Sequence, residues 1–186
     1  MSSTLVVSPA AAPARKKRGQ SLVELAITIP VMSILLLGGF DTTMLIWDKL
    51  VAGYAVRQGV RLASELGGRQ TNPTATQAAI DQKIVRNVLA VTKTWGYGTL
   101  MELDIYGATR ADGVMQASDY QDQFNGSGNP LPSGLQTLTL ERRYQTPPDE
   151  TAIGIRLVWQ FTVPAGSFGN MTFTEYSVMQ VAPVLN

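Results

Sequence analysis

The chain has 186 residues, enough for one domain of ordinary size plus an anchor, and its formal net charge of +1 predicts no general binding of nucleic acid. It contains no cysteine and no histidine. That composition excludes disulfides, zinc–thiolate centres, thiol catalysis and any catalytic triad that needs an imidazole base.

The N-terminal leader is rich in Ala, Ser and Pro, a composition that does not fold alone. It ends in an uninterrupted run of four cations, Arg15, Lys16, Lys17 and Arg18. Cations directly before an apolar segment predict, by the positive-inside rule, that the N-terminus stays in the cytoplasm. These four residues therefore set the expected topology, and residues 1–19 are interpreted as a cytoplasmic leader.

A long apolar segment follows the leader. Leu25–Phe40 carries no charge, Asp41 interrupts it, and apolar residues continue to Trp47. Residues 25–47 would extend about 34 Å as a helix, against a hydrocarbon core of roughly 30 Å. Two other interpretations fit less well, because a buried core helix needs a larger domain around it and a cleaved secretory signal has a shorter apolar core. We predict a transmembrane helix over residues 20–47.

The helical pattern continues beyond the membrane to Leu66, and the pair Gly67–Gly68 ends it. Residues 48–186 would then form an exported, extracytoplasmic domain. A second amphipathic helix is predicted over Thr76–Val91. Its expected inward-facing residues are Ala79, Ile80, Ile84, Val88 and Leu89.

The remaining sequence predicts β-structure. Four segments are strand candidates, and Ala108–Gly134 is expected to be a long loop because it is rich in Gly, Asp, Asn and Ser. The fold class is therefore α+β, with three or four antiparallel strands packed on the outer half of the long helix. The candidate strands are Leu100–Tyr106, Leu135–Tyr144, Ile153–Val163 and Met171–Val181.

The junction between leader and helix carries the most informative motif. Gly19 ends the basic leader, and Glu24 lies five residues later, just before the apolar run. This arrangement is one that a prepilin peptidase recognises, with cleavage after Gly19 and Gln20 as the new N-terminus. Glycine leaves the scissile bond without a side chain. A carboxylate in a lipid-embedded helix is costly unless paired, and the freed α-ammonium of a neighbouring subunit can supply the pair.

A purely structural interpretation of Glu24 is also open. Ser21 and Glu24 fit the capping box S-x-x-E, and an acid in the first turn complements the helix dipole. Further along, Pro30 is expected to bend the helix, which neighbouring helices in an assembly can compensate. Asp41 could either snorkel to water or pair within an assembly.

No catalytic signature is present in the sequence, so we expect no enzymatic activity, no cofactor and no metal site. Glu102 and Asp104 alternate on a predicted strand and are expected to share its solvent face. Four oxygen-bearing residues of the predicted loop could bind calcium, but their spacing does not match an EF-hand, and a flexible surface loop is the alternative. They are Asp119, Asp122, Asn125 and Asn129.

The first third of the chain resembles the TadE-like family, the minor pseudopilins of the tight-adherence (Tad/Flp) pilus system. The resemblance lies in RGQSLVELA, the proline in the apolar run, and the A-x-R-x-G-x-R-x-A pattern of Ala55–Ala63. Leu25 stands where the major Flp pilins usually carry tyrosine, and the chain is longer than a major pilin. The resemblance implies a minor subunit involved in pilus biogenesis, adherence or secretion. The implied partners are prepilin peptidase, other pilins and pseudopilins, the Tad inner-membrane platform and the bilayer.

One alternative of another class remains. The chain could be an unprocessed single-pass protein that presents a binding domain in the envelope without entering a pilus. The two hypotheses differ in the mature N-terminus, which is Gln20 after processing and Met1 or Ser2 without it.

Overall fold

The computed structural model describes residues 18–68, 73–110, 112–132, 137–143, 152–164 and 169–181. The chain divides into two compact units, Met1–Gly38 and Gly39–Asn186. The fold is α+β, as predicted, with two α-helices and a four-stranded antiparallel sheet.

Helix α1 spans Arg18–Leu66 and confirms the predicted long N-terminal helix. Its end is built as expected, because Gly67 has a positive φ of 60° and donates its N–H to the carbonyl of Ala63 at 3.1 Å. The helix continues through Pro30. The expected bend at that residue stays a prediction.

Helix α2 spans Gln77–Thr92, close to the predicted bounds, and Thr76 caps it by accepting the N–H of Ala79. Three of the five residues expected to face inward, Ile80, Ile84 and Val88, are buried. Leu89 is half-buried. The expectation for Ala79 is wrong, since it lies on the exposed face of the first turn.

The sheet has the order β2-β1-β3-β4 with antiparallel neighbours throughout. Three of the predicted strands are confirmed with small shifts of their ends. The strands are β1 Gly98–Gly107, β2 Gln121–Asn125, β3 Ala152–Phe161 and β4 Met171–Gln180.

Two predictions for the connecting segments are wrong. Strand β2 lies inside the expected loop Ala108–Gly134, where its five residues pair with β1. The segment Leu135–Tyr144 is not a strand over its described part: a short 3-10 helix, Leu140–Arg142, occupies it. The alternation of apolar residues there has another cause, since Leu138 and Leu140 insert separately into the core.

The core lies in the second unit, between the outer part of α1, helix α2 and one face of the sheet. Helix α1 contributes small and β-branched residues, and β3 contributes every second side chain. Trp159 is central: its ring stacks on Trp95 at 5.4 Å and on Phe173 at 4.9 Å between centroids. A bulge after Leu100 lets both Leu100 and Leu103 face this core.

Candidate processing and assembly site

The junction residues lie at the beginning of α1. Arg18 is the first residue of the helix, so Gly19, Gln20 and Glu24 are all helical. The topology residues Arg15, Lys16 and Lys17 lie outside the described residues. Because the helix begins before Ser21, that residue is not at an N-cap position, and the capping-box interpretation of Glu24 is wrong for this structure.

Glu24 is exposed, and its carboxylate accepts one hydrogen bond, from Gln20 Nε2 at 3.1 Å. No cation of the described chain forms an ion pair with it. A neutral amide one turn away orients the carboxylate but leaves its charge uncompensated. Among the described residues, Glu24 is therefore free to meet a further cation.

The apolar segment of α1 buries none of its side chains within the first unit. Its large residues are between about half and 70% exposed, from Leu37 at 49% to Ile34 at 70%. A single helix of this length and composition, unburied by its own chain, is able to cross a membrane. The hydroxyls of Thr28 and Ser33 donate hydrogen bonds to the backbone carbonyls of Glu24 and Ile29, so these side chains add no unpaired polar group to the helix surface.

Two aspartates share one face of α1 seven residues apart but have opposite surroundings. Asp48 is fully buried, and its carboxylate accepts the N–H groups of Gly96 at 2.8 Å and Tyr97 at 2.9 Å. Its carbonyl also accepts Trp95 Nε1–H at 2.9 Å. Asp48 thus ties α1 to the connection between α2 and β1.

Asp41 is 5% exposed, and neither of its carboxylate oxygens has a hydrogen-bond partner in the described chain. The snorkelling expectation is therefore wrong for this structure. An unpaired buried carboxylate lowers stability, so Asp41 carries a cost that the described part of the fold does not compensate.

The A-x-R-x-G-x-R-x-A pattern has a packing explanation. Ala55, Gly59 and Ala63 follow each other at i, i+4 spacing and form a buried stripe of small residues. A Cβ at Gly59 would lie 2.6 Å from Val88 Cγ2 and 2.7 Å from Ile155 Cδ1, so only glycine allows this approach. The stripe brings the backbone of α1 against α2 and the sheet.

The two arginines of the same pattern, Arg57 and Arg61, lie on the opposite, exposed side of α1. Arg61 pairs with Glu65 one turn later at 2.8 Å. The pattern therefore separates a packing side from a charged surface side of the helix.

The core domain also holds a buried ionic cluster that the sequence did not predict. Arg143 is fully buried, and its Nη2 lies 2.5 Å from Asp81 and 3.7 Å from Asp122. Gln77 donates to Asp122 at 2.9 Å. Burial raises the pKa of Asp122 to about 7, the charge of Asp81 adds to that rise, and the guanidinium opposes it.

A second ionic cluster lies on the other face of the sheet and corrects the expectation for Glu102 and Asp104. Both carboxylates bind Arg156, and the Asp104 contact is 2.5 Å. Asp104 is fully buried rather than solvent-facing. Burial raises its pKa to about 6 although Arg156 opposes the change. Tyr106, two residues after Asp104 on the same strand face, is also buried, and its hydroxyl donates to the carbonyl of Gly113 at 2.5 Å.

The four calcium candidates have different protein partners. Asp119 accepts from Thr109 Oγ1 and from the N–H of Gln116, and Asp122 belongs to the Arg143 cluster. Asn125 accepts the N–H groups of Ser127 and Asn129, which closes a turn after β2. Within the described ranges, no three acidic, histidine or cysteine side chains converge on a point that could hold a metal ion.

These features define a class of protein: an α+β domain in the second unit and, within the described ranges, one N-terminal apolar helix that could span a membrane. Residues 19–61 match the family model described as TadE-like protein, which confirms the resemblance found in the sequence. The match covers both the processing junction and most of the A-x-R-x-G-x-R-x-A stretch, and it indicates a protein associated with the Tad pilus. No curated protein and no solved structure matches the chain.

Proposed function

We propose that the chain is a minor pseudopilin of a Tad/Flp-type pilus, that prepilin peptidase cleaves it after Gly19, and that it acts in pilus biogenesis, adherence or secretion. One observation carries the proposal. The TadE-like match spans the junction, and at that junction Glu24 is exposed on an unburied apolar helix, with no cation of the described residues paired to it.

The physical mechanism is charge pairing in lipid. Cleavage would free the α-ammonium of Gln20 on one subunit. The carboxylate of Glu24 on a neighbouring subunit would then form an ion pair with that ammonium. In a medium of low dielectric constant an unpaired carboxylate is costly, so pairing favours one stagger between adjacent helices. The chain would insert with its N-terminus in the cytoplasm and residues 48–186 outside the inner membrane. It would then meet other pilins and the Tad inner-membrane platform. On this account the protein is a structural subunit and not an enzyme.

Substitution of Glu24 tests this mechanism. Glu24→Ala and Glu24→Gln should leave cleavage largely intact, because the scissile bond lies five residues away. Both variants should reduce the amount of protein recovered with pili and their associated pilins by about tenfold or more, the effect of losing a charge-assisted bond worth roughly 1.5–3 kcal/mol.

Glu65→Ala is the matched control, since Glu65 is an exposed acid on the same helix whose partner is Arg61. It should be incorporated normally. Normal incorporation of Glu24→Ala, measured by quantitative immunoblot of sheared pili at equal membrane levels, would refute the charge-pair mechanism.

A further inference from the structure

An open apolar groove of about 490 Å³ lies between α1 and α2 in the second unit, immediately beyond the apolar segment of α1. The α1 side of the groove contains three large side chains that are more than half exposed, Trp47, Leu50 and Tyr54. The α2 side contributes Asn87, Ala90 and Val91. The α1 residues of the groove begin at Trp47, the predicted end of the membrane span.

The depth of the groove matches the interfacial layer of a bilayer. Trp47 and Tyr54 are seven residues apart, which corresponds to about 10 Å along a helix. The headgroup region on one side of a membrane is roughly 5–8 Å thick. With Trp47 at the edge of the hydrocarbon, the groove therefore extends through the headgroup layer, where tryptophan and tyrosine are enriched.

The exposed face of α2 that borders the groove at Ala90, called here the basic rim, carries several cations, one of which, Lys93, also lines a separate cavity beside β1. Lys83, Arg86, Ala90 and Lys93 recur at helical spacing along the exposed face of α2, and that face carries no acid. Arg57 on α1 adds a fourth exposed cation. In the part of the chain that the structure describes, none of these four cations forms an ion pair. Four exposed cations without an ion pair among the described residues contrast with the formal net charge of +1 for the whole chain.

One polar atom in the groove also lacks a partner. Asn87 Oδ1 is buried and accepts no hydrogen bond from the described residues. A ligand that carries a hydroxyl or amide donor beside an anionic group would satisfy this acceptor while its charge binds the rim.

We propose that the α1–α2 groove and its basic rim bind anionic phospholipid of the bilayer that anchors α1. The upper acyl carbons would lie along Trp47, Leu50 and Ala90, and the phosphate would contact Arg86 and Lys93. A glycerol hydroxyl of the headgroup would donate to Asn87. The docked lipid would hold the exported domain against the membrane surface. The inference requires insertion of α1 but neither cleavage nor pilus assembly, so its failure leaves the proposed function untouched.

Native mass spectrometry of the full-length chain in detergent, with equimolar phosphatidylglycerol and phosphatidylcholine of the same acyl composition, tests the assignment. The wild-type protein should retain phosphatidylglycerol in preference, by roughly 10- to 30-fold, as two phosphate contacts predict. The double variant Arg86→Gln/Lys93→Gln should lose most of this preference. Ala90→Glu, which places an acid in the groove at an exposed position, should do the same.

Lys49→Gln is the matched control. Lys49 is exposed, lies on α1 between Trp47 and Leu50, and points to the other side of the helix, where Glu175 is 4.0 Å away. This variant should keep the preference.

Three outcomes would overturn the proposal. The wild-type chain could bind both lipids equally, or the groove variants could keep the preference. The preference could also disappear only when Arg15–Arg18 are neutralised, which would assign it to the leader. If lipid preference is absent and Ala90→Cys forms a cross-link to a second copy, the groove seats a neighbouring subunit instead.

Discussion

Asp48 and Asp41 offer a paired test of how α1 is fixed to its domain, because the same substitution should have opposite effects at two sites on one helix face. In Asp48→Asn, the amide oxygen of the new side chain can still accept one of the two backbone N–H groups. The new NH₂ group, however, faces the other backbone N–H. One charge-assisted bond is lost and one buried donor is left unpaired. The expected loss in the free energy of unfolding is about 2–4 kcal/mol.

For a protein of this size that loss corresponds to a fall in Tm of roughly 4–16 °C. Asp41→Asn removes a buried charge that has no partner in the described chain, so its Tm should stay unchanged or rise. Thermal unfolding of both variants in the same detergent, followed by tryptophan fluorescence, measures the two effects. The stacked pair Trp95–Trp159 reports on the region that Asp48 organises. Equal destabilisation by the two substitutions would refute this reasoning.

Two further predictions concern packing and pH. Gly59→Ala should destabilise the domain by about 1–2 kcal/mol, because overpacking against Val88 outweighs the gain in helix propensity. Gly53→Ala, whose Cβ would meet only Arg57 at 3.7 Å, should stabilise the domain slightly. Urea unfolding of both variants measures the two changes in the free energy of unfolding, and equal effects would contradict the prediction. The pKa of Asp122 is about 7 in the folded chain and near 4 in the unfolded chain, so the folded state binds the proton more tightly. The free energy of unfolding should therefore fall as the pH rises from about 4 to about 7. Asp122→Asn should flatten this dependence, and an unchanged slope in urea titrations at pH 4, 5.5 and 7 would show that another group is responsible.

The helices were predictable from the sequence because their signals are local. A long uncharged segment, a continuing helical period and the pair Gly67–Gly68 determine α1 without reference to the rest of the chain. Strand β2 had no such signal. Its five residues contain a single large apolar side chain, Phe124, and the strand exists because β1 pairs with it and Asn125 closes the following turn.

The ionic clusters were not predictable for a related reason. Asp104 was expected on a solvent face because charged residues are usually exposed. Its burial depends on Arg156, which lies opposite it on another strand more than fifty residues away. The one available hint was Arg156, the single charged residue within β3, whereas Arg143 stands in the charged run Glu141-Arg142-Arg143 and gave no such signal. For Asp48, the seven-residue spacing from Asp41 indicated a shared face but not which of the two would be satisfied.

The mature N-terminus decides most directly between a processed pseudopilin and an unprocessed envelope anchor. Intact-mass measurement of the protein recovered from membranes, with and without prepilin peptidase, provides it. We predict a chain that begins at Gln20 when the peptidase is present and a full-length chain when it is absent. A chain that begins at Met1 or Ser2 in both cases, with unchanged mobility, would contradict the account.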